Sequence, residues 1–139
     1  MSFRIPLFAY GLYMDVDVLR SADVDPHNPR IGVVHGYDIA LGEKSTMIPT
    51  QDASVWGVAV MLTHAEIDTL YAPFKGLYQP EAMLMHLSGG ALLPTVGYII
   101  KPIPENQTVN TDYARKLHAL VQKLGFDAEY VQRIEQMFS

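Results

Sequence analysis

The segment Phe8-Ala9-Tyr10-Gly11-Leu12-Tyr13-Met14 offers the clearest opening for chemistry in this chain. An apolar strand runs into a glycine turn, and such a turn can present successive backbone N–H groups to a carboxylate or carbonyl oxygen. Gly11, having no Cβ, would let a ligand approach the backbone closely. Taken alone, the fragment fits an ordinary strand-end glycine better. Other reactive groups lack the company that catalysis needs. The histidines His27, His35, His64, His86 and His118 show no HxH or HExxH spacing, so they read as satisfied or exposed side chains rather than metal ligands. His35 and His86 are the two expected to be able to point into a closed sheet. Ser45 and Thr46 have no G-x-S-x-G context, which argues against a serine hydrolase. The chain has no cysteine, hence no thiolate nucleophile, no disulfide framework and no Cys-bound metal. Tyr10, Tyr13, Tyr37, Trp56, Tyr71, Phe74 and Tyr78 supply a large aromatic surface, most of it expected in the core and some of it around a cavity.

The elements that must position these residues are strands first and helices last. Ile5 to Tyr10, Ile31 to Leu41 and Val55 to Leu62 are apolar and rich in β-branched or aromatic residues, with Ala82 to Leu87 and Thr95 to Ile100 as weaker strands. Gly36 interrupts the second run and Gly57 the third, as at a bulge or barrel corner. Thr63-His-Ala-Glu66 has the form of a capping box opening a helix that Pro73 ends. Tyr113, Leu117, Leu120, Val121 and Leu124 fall at helical spacing, in a helix that starts near Thr111 or Asp112 and is capped by Gly125. A third helix starts at Asp127 and carries Tyr130, Val131, Ile134, Met137 and Phe138 on one side. Strands followed by two terminal helices predict an α+β domain, and the glycine-broken strands favour a small, mixed, partly closed barrel-like sheet with about three short helices. The 139 residues suit one domain, 1–139, with the polar stretch from Lys101 to Thr111 as a surface connection inside it.

Charge narrows the partners. The net charge is −5 and the ten Lys and Arg are scattered, so no basic patch points to nucleic acid. No polybasic run suggests a membrane surface, and no apolar run approaches the roughly 18 residues of a membrane span. The N-terminal segment lacks the features of a signal peptide. Together with the absence of cysteine, this leads us to expect a cytoplasmic protein with a small-molecule partner. Exposed strand edges would allow a homodimer.

Four segments in order give a family resemblance. FAYGLYM resembles the N-terminal FxYGSxxx element of the γ-glutamylcyclotransferase-like family. GVVHGYDIAL resembles its Gly-Tyr strand, IPTQDASVWGVAVMLTHAEIDTL its P…VxGxxxxL…L segment, and LGFDAEYVQRI its GLPxxYxxxI ending. The resemblance implies a small barrel whose YGxx turn, here Tyr10, Gly11, Leu12 and Tyr13, binds a γ-glutamyl group through backbone amides. It implies an activity that releases 5-oxoproline and a free amine from γ-glutamyl amines or peptides, without cofactor or metal. The substrate's own α-amino group attacks its γ-carbonyl, and a glutamate takes the proton. An ammonium is no nucleophile, so a positioned base is indispensable to that reaction.

The sequence departs from the pattern twice. Leu12 stands at the family serine. After Leu70, where the family has Asp-x-x-Glu-Gly, Tyr71 stands at the aspartate, Phe74 at the glutamate and Lys75 at the glycine. A phenyl ring accepts no proton. Glu66 is accounted for by its cap, and Asp15 and Asp17 read as surface carboxylates. Glu81 too reads first as a solvated surface carboxylate, but, at the start of a strand expected to adjoin the cavity, it is the best candidate for a replacement base. Three readings follow. The first is a binding protein with ligand contacts at Tyr10, Gly11, Leu12, Tyr13, Phe74 and Tyr78 but without the glutamate chemistry. The second is an active cyclotransferase with Glu81 as relocated catalytic base. The third is a non-enzymatic interaction protein with a filled cavity. Whether the chain is an enzyme stays open at this point.

Overall fold

The computed structural model describes residues 3–105 and 107–138. Five strands, β1 (Arg4–Ala9), β2 (His27–Leu41), β3 (Ser45–Thr63), β4 (Tyr78–Leu87) and β5 (Leu92–Ile100), close into a barrel in the order β1-β3-β2-β4-β5. Neighbours are antiparallel except β1 and β5, which run parallel and meet at Leu7 and Val96. Helices α1 (Val16–Ser21), α2 (His64–Tyr71), α3 (Thr111–Lys123) and α4 (Ala128–Gln136) complete the fold, with single 3-10 turns at Leu12–Met14 and Ala72–Phe74. The mixed α+β barrel is the architecture expected.

The apolar run Val55 to Leu62 forms the second half of β3 and is largely buried on both faces, which is why it shows no period-2 alternation. Leu7, Phe8, Val60, Leu62, Met85, Leu117 and Ile134 are fully buried, each worth about 1.5–3 kcal/mol relative to exposure for residues of this kind. Gly57 is where β1 presses on β3: a Cβ there would lie 2.4 Å from the Ala9 carbonyl oxygen and 2.7 Å from the Phe8 ring. Gly36 has φ +86° and marks a register shift between His35 and Tyr37, the bulge its position predicts.

His35 and His86 do not enter the barrel. Val34 is the buried residue of that stretch, so His35 beside it takes the opposite face and is exposed. His86 pairs across from Val33 and shares that outer face, and the two imidazole rings lie 4.5 Å apart by centroid. His35 Nδ1 bonds the Ser54 hydroxyl at 2.7 Å.

The helices start where short polar side chains catch free amides. Thr63 accepts from the Glu66 amide at 3.1 Å, and Glu66 Oε1 accepts from the Thr63 amide at 2.9 Å, completing the capping box. Pro73 tightens the chain into the 3-10 turn after α2. Asn110, one residue before the expected start, caps α3 by accepting from the Tyr113 amide, and Asp127 caps α4. Arg133 on α4 grips both carboxylate oxygens of Asp38 on β2, the Nε at 3.1 Å. Helix α1 escaped the sequence reading because six residues are too few to show a helical period. Its cap is Asp15, which accepts from the Asp17 amide at 2.9 Å. Among the described residues no helix is long and apolar enough to cross a membrane.

Glu66 does more than close its own cap. Its Oε2 accepts from the Asp25 amide at 2.6 Å, and its Oε1 accepts from Arg4 Nη1 at 3.1 Å. Burial raises its pKa, but the amides of Thr63 and Asp25, the Thr63 hydroxyl and Arg4 together hold it below the ordinary 4.5. A depressed carboxylate stabilises the fold above its unfolded pKa, and that contribution disappears as pH falls through the folded value. Glu66→Gln is therefore expected to lower the denaturation midpoint at neutral pH, with the gap to wild type narrowing below about pH 4.5. Urea titrations of both proteins across that range check this.

Candidate functional site

A cavity of about 200 Å³ lies where the end of β1, the start of β3, the end of α2 and the first turn of α3 converge. Its wall is built from Tyr10, Gly11, Leu12, Tyr13, Val18, Lys44, Ser45, Tyr71, Phe74, Tyr78 and Tyr113, with Ala9 behind them. The size is below the roughly 300 Å³ at which pockets begin to hold drug-sized ligands, so it suits a fragment of amino-acid dimensions.

Most of the wall is aromatic. Tyr71, the last residue of α2, is the hub: it stacks on Tyr98 at 4.2 Å and 17°, meets Tyr13 edge-on at 5.7 Å, and lies 5.8 Å from Tyr78 and 6.1 Å from Phe74. Phe74 meets Tyr78 edge-on at 5.1 Å. These are the offset and T-shaped geometries that aromatic quadrupoles favour. Three of the hydroxyls are held by main-chain carbonyls. Tyr10 donates to Tyr98 at 2.6 Å, Tyr13 to Leu70 at 2.7 Å, and Tyr78 to Ser45 at 2.6 Å.

The polar end lies at the glycine turn. Ser45 Oγ and the Tyr113 hydroxyl bond each other at 2.8 Å in a buried setting. A Cβ on Gly11 would lie 2.6 Å from the Tyr113 oxygen and 2.7 Å from Ser45 Oγ. Gly11 is thus required by close approach, but the oxygens approaching it belong to the protein itself. Burial raises the Tyr113 pKa, while the Ser45 hydroxyl and the amides of Leu12 and Ser45, which face the phenol oxygen, partly offset that rise. Lys44 lies over the Tyr113 ring, its Nζ 5.4 Å from the centroid.

The sequence-predicted binding residues Tyr10, Gly11, Leu12, Tyr13, Phe74 and Tyr78 are all brought to this one cavity. Glu81 is not. It lies three residues beyond Tyr78 on β4, an odd spacing that sends the two side chains to opposite faces, and it accepts from Lys101 Nζ at 2.9 Å. The strand adjoins the cavity as expected, but Glu81 faces away from it. Among the described residues no carboxylate lines the cavity. Nor can a tyrosine stand in as base. Burial pushes Tyr10 and Tyr71 well above the ordinary value of 10 and raises Tyr78 and Tyr113 as well, so all four are neutral phenols at physiological pH. Among the described residues no three His, Asp or Glu are grouped so that they could hold a metal ion.

Three wall residues were not legible as such. Tyr113 reads in sequence as one more apolar position of α3. Ser45 lacks any hydrolase motif, and Lys44 carries no signal beyond its place in a turn. The register after α2 is informative too. Lys75 adopts φ +52°, the left-handed conformation that favours glycine, and it follows Phe74 directly.

No family model and no curated protein matches the sequence. Solved structures do match, and they define the fold as γ-glutamylcyclotransferase-like. A structure described as gamma-glutamyl cyclotransferase is similar over 97% of this chain and 87% of its own, with TM-score 0.77 and 14% identity. A yeast γ-glutamyl cyclotransferase specific to glutathione is similar over 98% and 96%, with TM-score 0.71 and 12% identity. YkqA from Bacillus subtilis is similar over 98% of this chain and 55% of its own, with TM-score 0.80 and 19% identity.

The crowding at Gly11 is testable by stability alone. Gly11→Ala is expected to cost about 1–3 kcal/mol through overpacking. Tyr113→Phe in the same chain is expected to recover part of the loss by removing the oxygen that a methyl would meet at 2.6 Å. A double-mutant cycle by chemical denaturation measures the coupling, and strict additivity would rule out the contact as the cause.

Proposed function

We propose that this protein binds a small γ-glutamyl-type amine or amide in the cavity beside the Tyr10–Gly11 turn and does not run the glutamate-based cyclisation. The observation that carries the reading is the make-up of the wall: an amino-acid-sized cavity at Gly11, lined by Phe74 and neutral tyrosines, without a carboxylate. Cyclisation requires a base to free the substrate amine, and among the described residues the wall offers no carboxylate to take that proton. The left-handed backbone at Lys75 supports the assignment of Phe74 to the family glutamate position. Glycine follows that glutamate in the family pattern; Lys75 and Gly76 (φ +82°) both hold the conformation that favours glycine, and in neither register does a carboxylate stand at the glutamate position. The open volume speaks against a filled core serving only surface interactions. A cytoplasmic location belongs to the same reading, supported by a chain without cysteine.

The decisive experiment is a 5-oxoproline release assay with γ-glutamyl amines and peptides, run on wild type and Phe74→Glu together with calorimetric binding. Wild type is expected to bind and stay silent. The variant is expected to gain release, most strongly near neutral pH, because burial among aromatics would raise the new carboxyl's pKa towards that of an effective base. Release by the wild type would overturn the non-catalytic reading. Absence of binding by both proteins would overturn the ligand class.

A further inference from the structure

Among the described residues, Lys44 carries the only formal charge on the cavity wall. It projects from the turn between β2 and β3, next to Ser45, and pairs with no carboxylate among the described residues. The acid beside it in sequence, Glu43, is engaged elsewhere, accepting from Asn110 Nδ2 at 3.0 Å at the start of α3. The Lys44 ammonium instead rests over the face of Tyr113, whose hydroxyl is bonded to Ser45 Oγ. Only one of those two hydroxyls can donate to the other, so the pair retains one O–H for a further acceptor. An unpaired cation and a spare donor therefore stand at one end of a cavity whose remaining wall is largely aromatic and where the Tyr10, Tyr13 and Tyr78 hydroxyls already donate to carbonyls.

We propose that Lys44, with the Ser45–Tyr113 hydroxyl pair, is the anion-reading end of this cavity, and that the ligand places a carboxylate there while its hydrocarbon and amide part packs against Tyr71, Phe74 and Tyr78. The inference deepens the function proposed above by naming the group that selects the ligand. It differs from the sequence expectation in one respect: the ligand's anion is read by side chains, because the Tyr113 oxygen already occupies the approach to Gly11. A diamine or other cation lacking a carboxylate is disfavoured by the same charge.

The test is an NMR titration of the full chain, following the Leu12 and Ser45 amides, with matched acid and amide probes. These are benzoate against benzamide, and γ-glutamyl methylamide against its α-carboxamide analogue. Each acid is expected to bind about tenfold more tightly than its amide, the low end of what a hydrogen bond to a charged group contributes. Lys44→Gln should abolish that preference and Lys44→Arg should keep it. Equal binding of acid and amide by wild type, or a preference that survives Lys44→Gln, would overturn the proposal. So would failure of every probe to shift these amides. The two readings fail separately. γ-Glutamyl probes that bind regardless of their carboxylate leave the ligand class standing and remove Lys44. Lys44-dependent binding of benzoate without γ-glutamyl binding does the reverse.

Discussion

Everything around the cavity hangs from β3. This strand is 19 residues long and pairs with β1 through its second half and with β2 through most of its length. Its first residue, Ser45, is thereby brought against Gly11 at the end of β1. Its last residue, Thr63, caps α2, whose far end delivers Tyr71 and, one 3-10 turn later, Phe74. The two walls of the cavity are thus opposite ends of one strand. Gly57, midway, is what lets β1 lie close enough for that geometry, since any side chain there would meet the β1 backbone. Barrel closure and cavity formation are the same packing problem.

The interior chemistry follows from where protons are held. Tyr10, Tyr13 and Tyr78 each donate to a backbone carbonyl, which satisfies a polar group that burial would otherwise leave unpaired. Aromatic contacts of the kind centred on Tyr71 contribute about 0.5–1.5 kcal/mol each beyond the area they bury. These phenols gain nothing from ionising, because burial disfavours the anion and the neighbouring tyrosines add to that penalty. An apolar ring at position 74 is consistent with this surrounding, whereas an ionised carboxylate there would face desolvation with few free donors. The wall is largely aromatic except at one corner. The single polar corner, Lys44 with Ser45 and Tyr113, is the exception that gives it direction.

Much of this could be read from the residues. The strand runs, the bulge at Gly36 and the capping box at Thr63 have local causes, since each depends on a neighbour only a few positions away. The ordered family elements carried the fold and gathered Tyr10 to Tyr13 with Phe74 and Tyr78. What stayed hidden depended on direction and on distant partners. The strand run alone leaves His35 free to point either way, and the alternation about Val34 turns it out. Glu81 was assigned to the cavity because its strand was, but parity along the strand sends it away from Tyr78. Tyr113 looks like core in α3 until the chain folds its hydroxyl against Ser45, far off in sequence. Helix α1 is too short for any period, and only its cap at Asp15 hints at it.

The backbone after α2 separates geometry from chemistry. Lys75 is held left-handed although it carries a full side chain, a conformation that costs a non-glycine residue roughly 1 kcal/mol. Such strain persists only where the surroundings over-determine the path. Here they do: the 3-10 turn closes on itself through the Lys75 amide bonding the Ala72 carbonyl, Leu77 bonds back to Phe74, and Tyr13 holds the Leu70 carbonyl. The loop therefore aims residue 74 at the cavity whatever side chain stands there. A fold that fixes the presentation of a residue independently of its identity can lose a catalytic group and keep its binding cavity. The aromatic wall around Phe74 is what such a loss would leave.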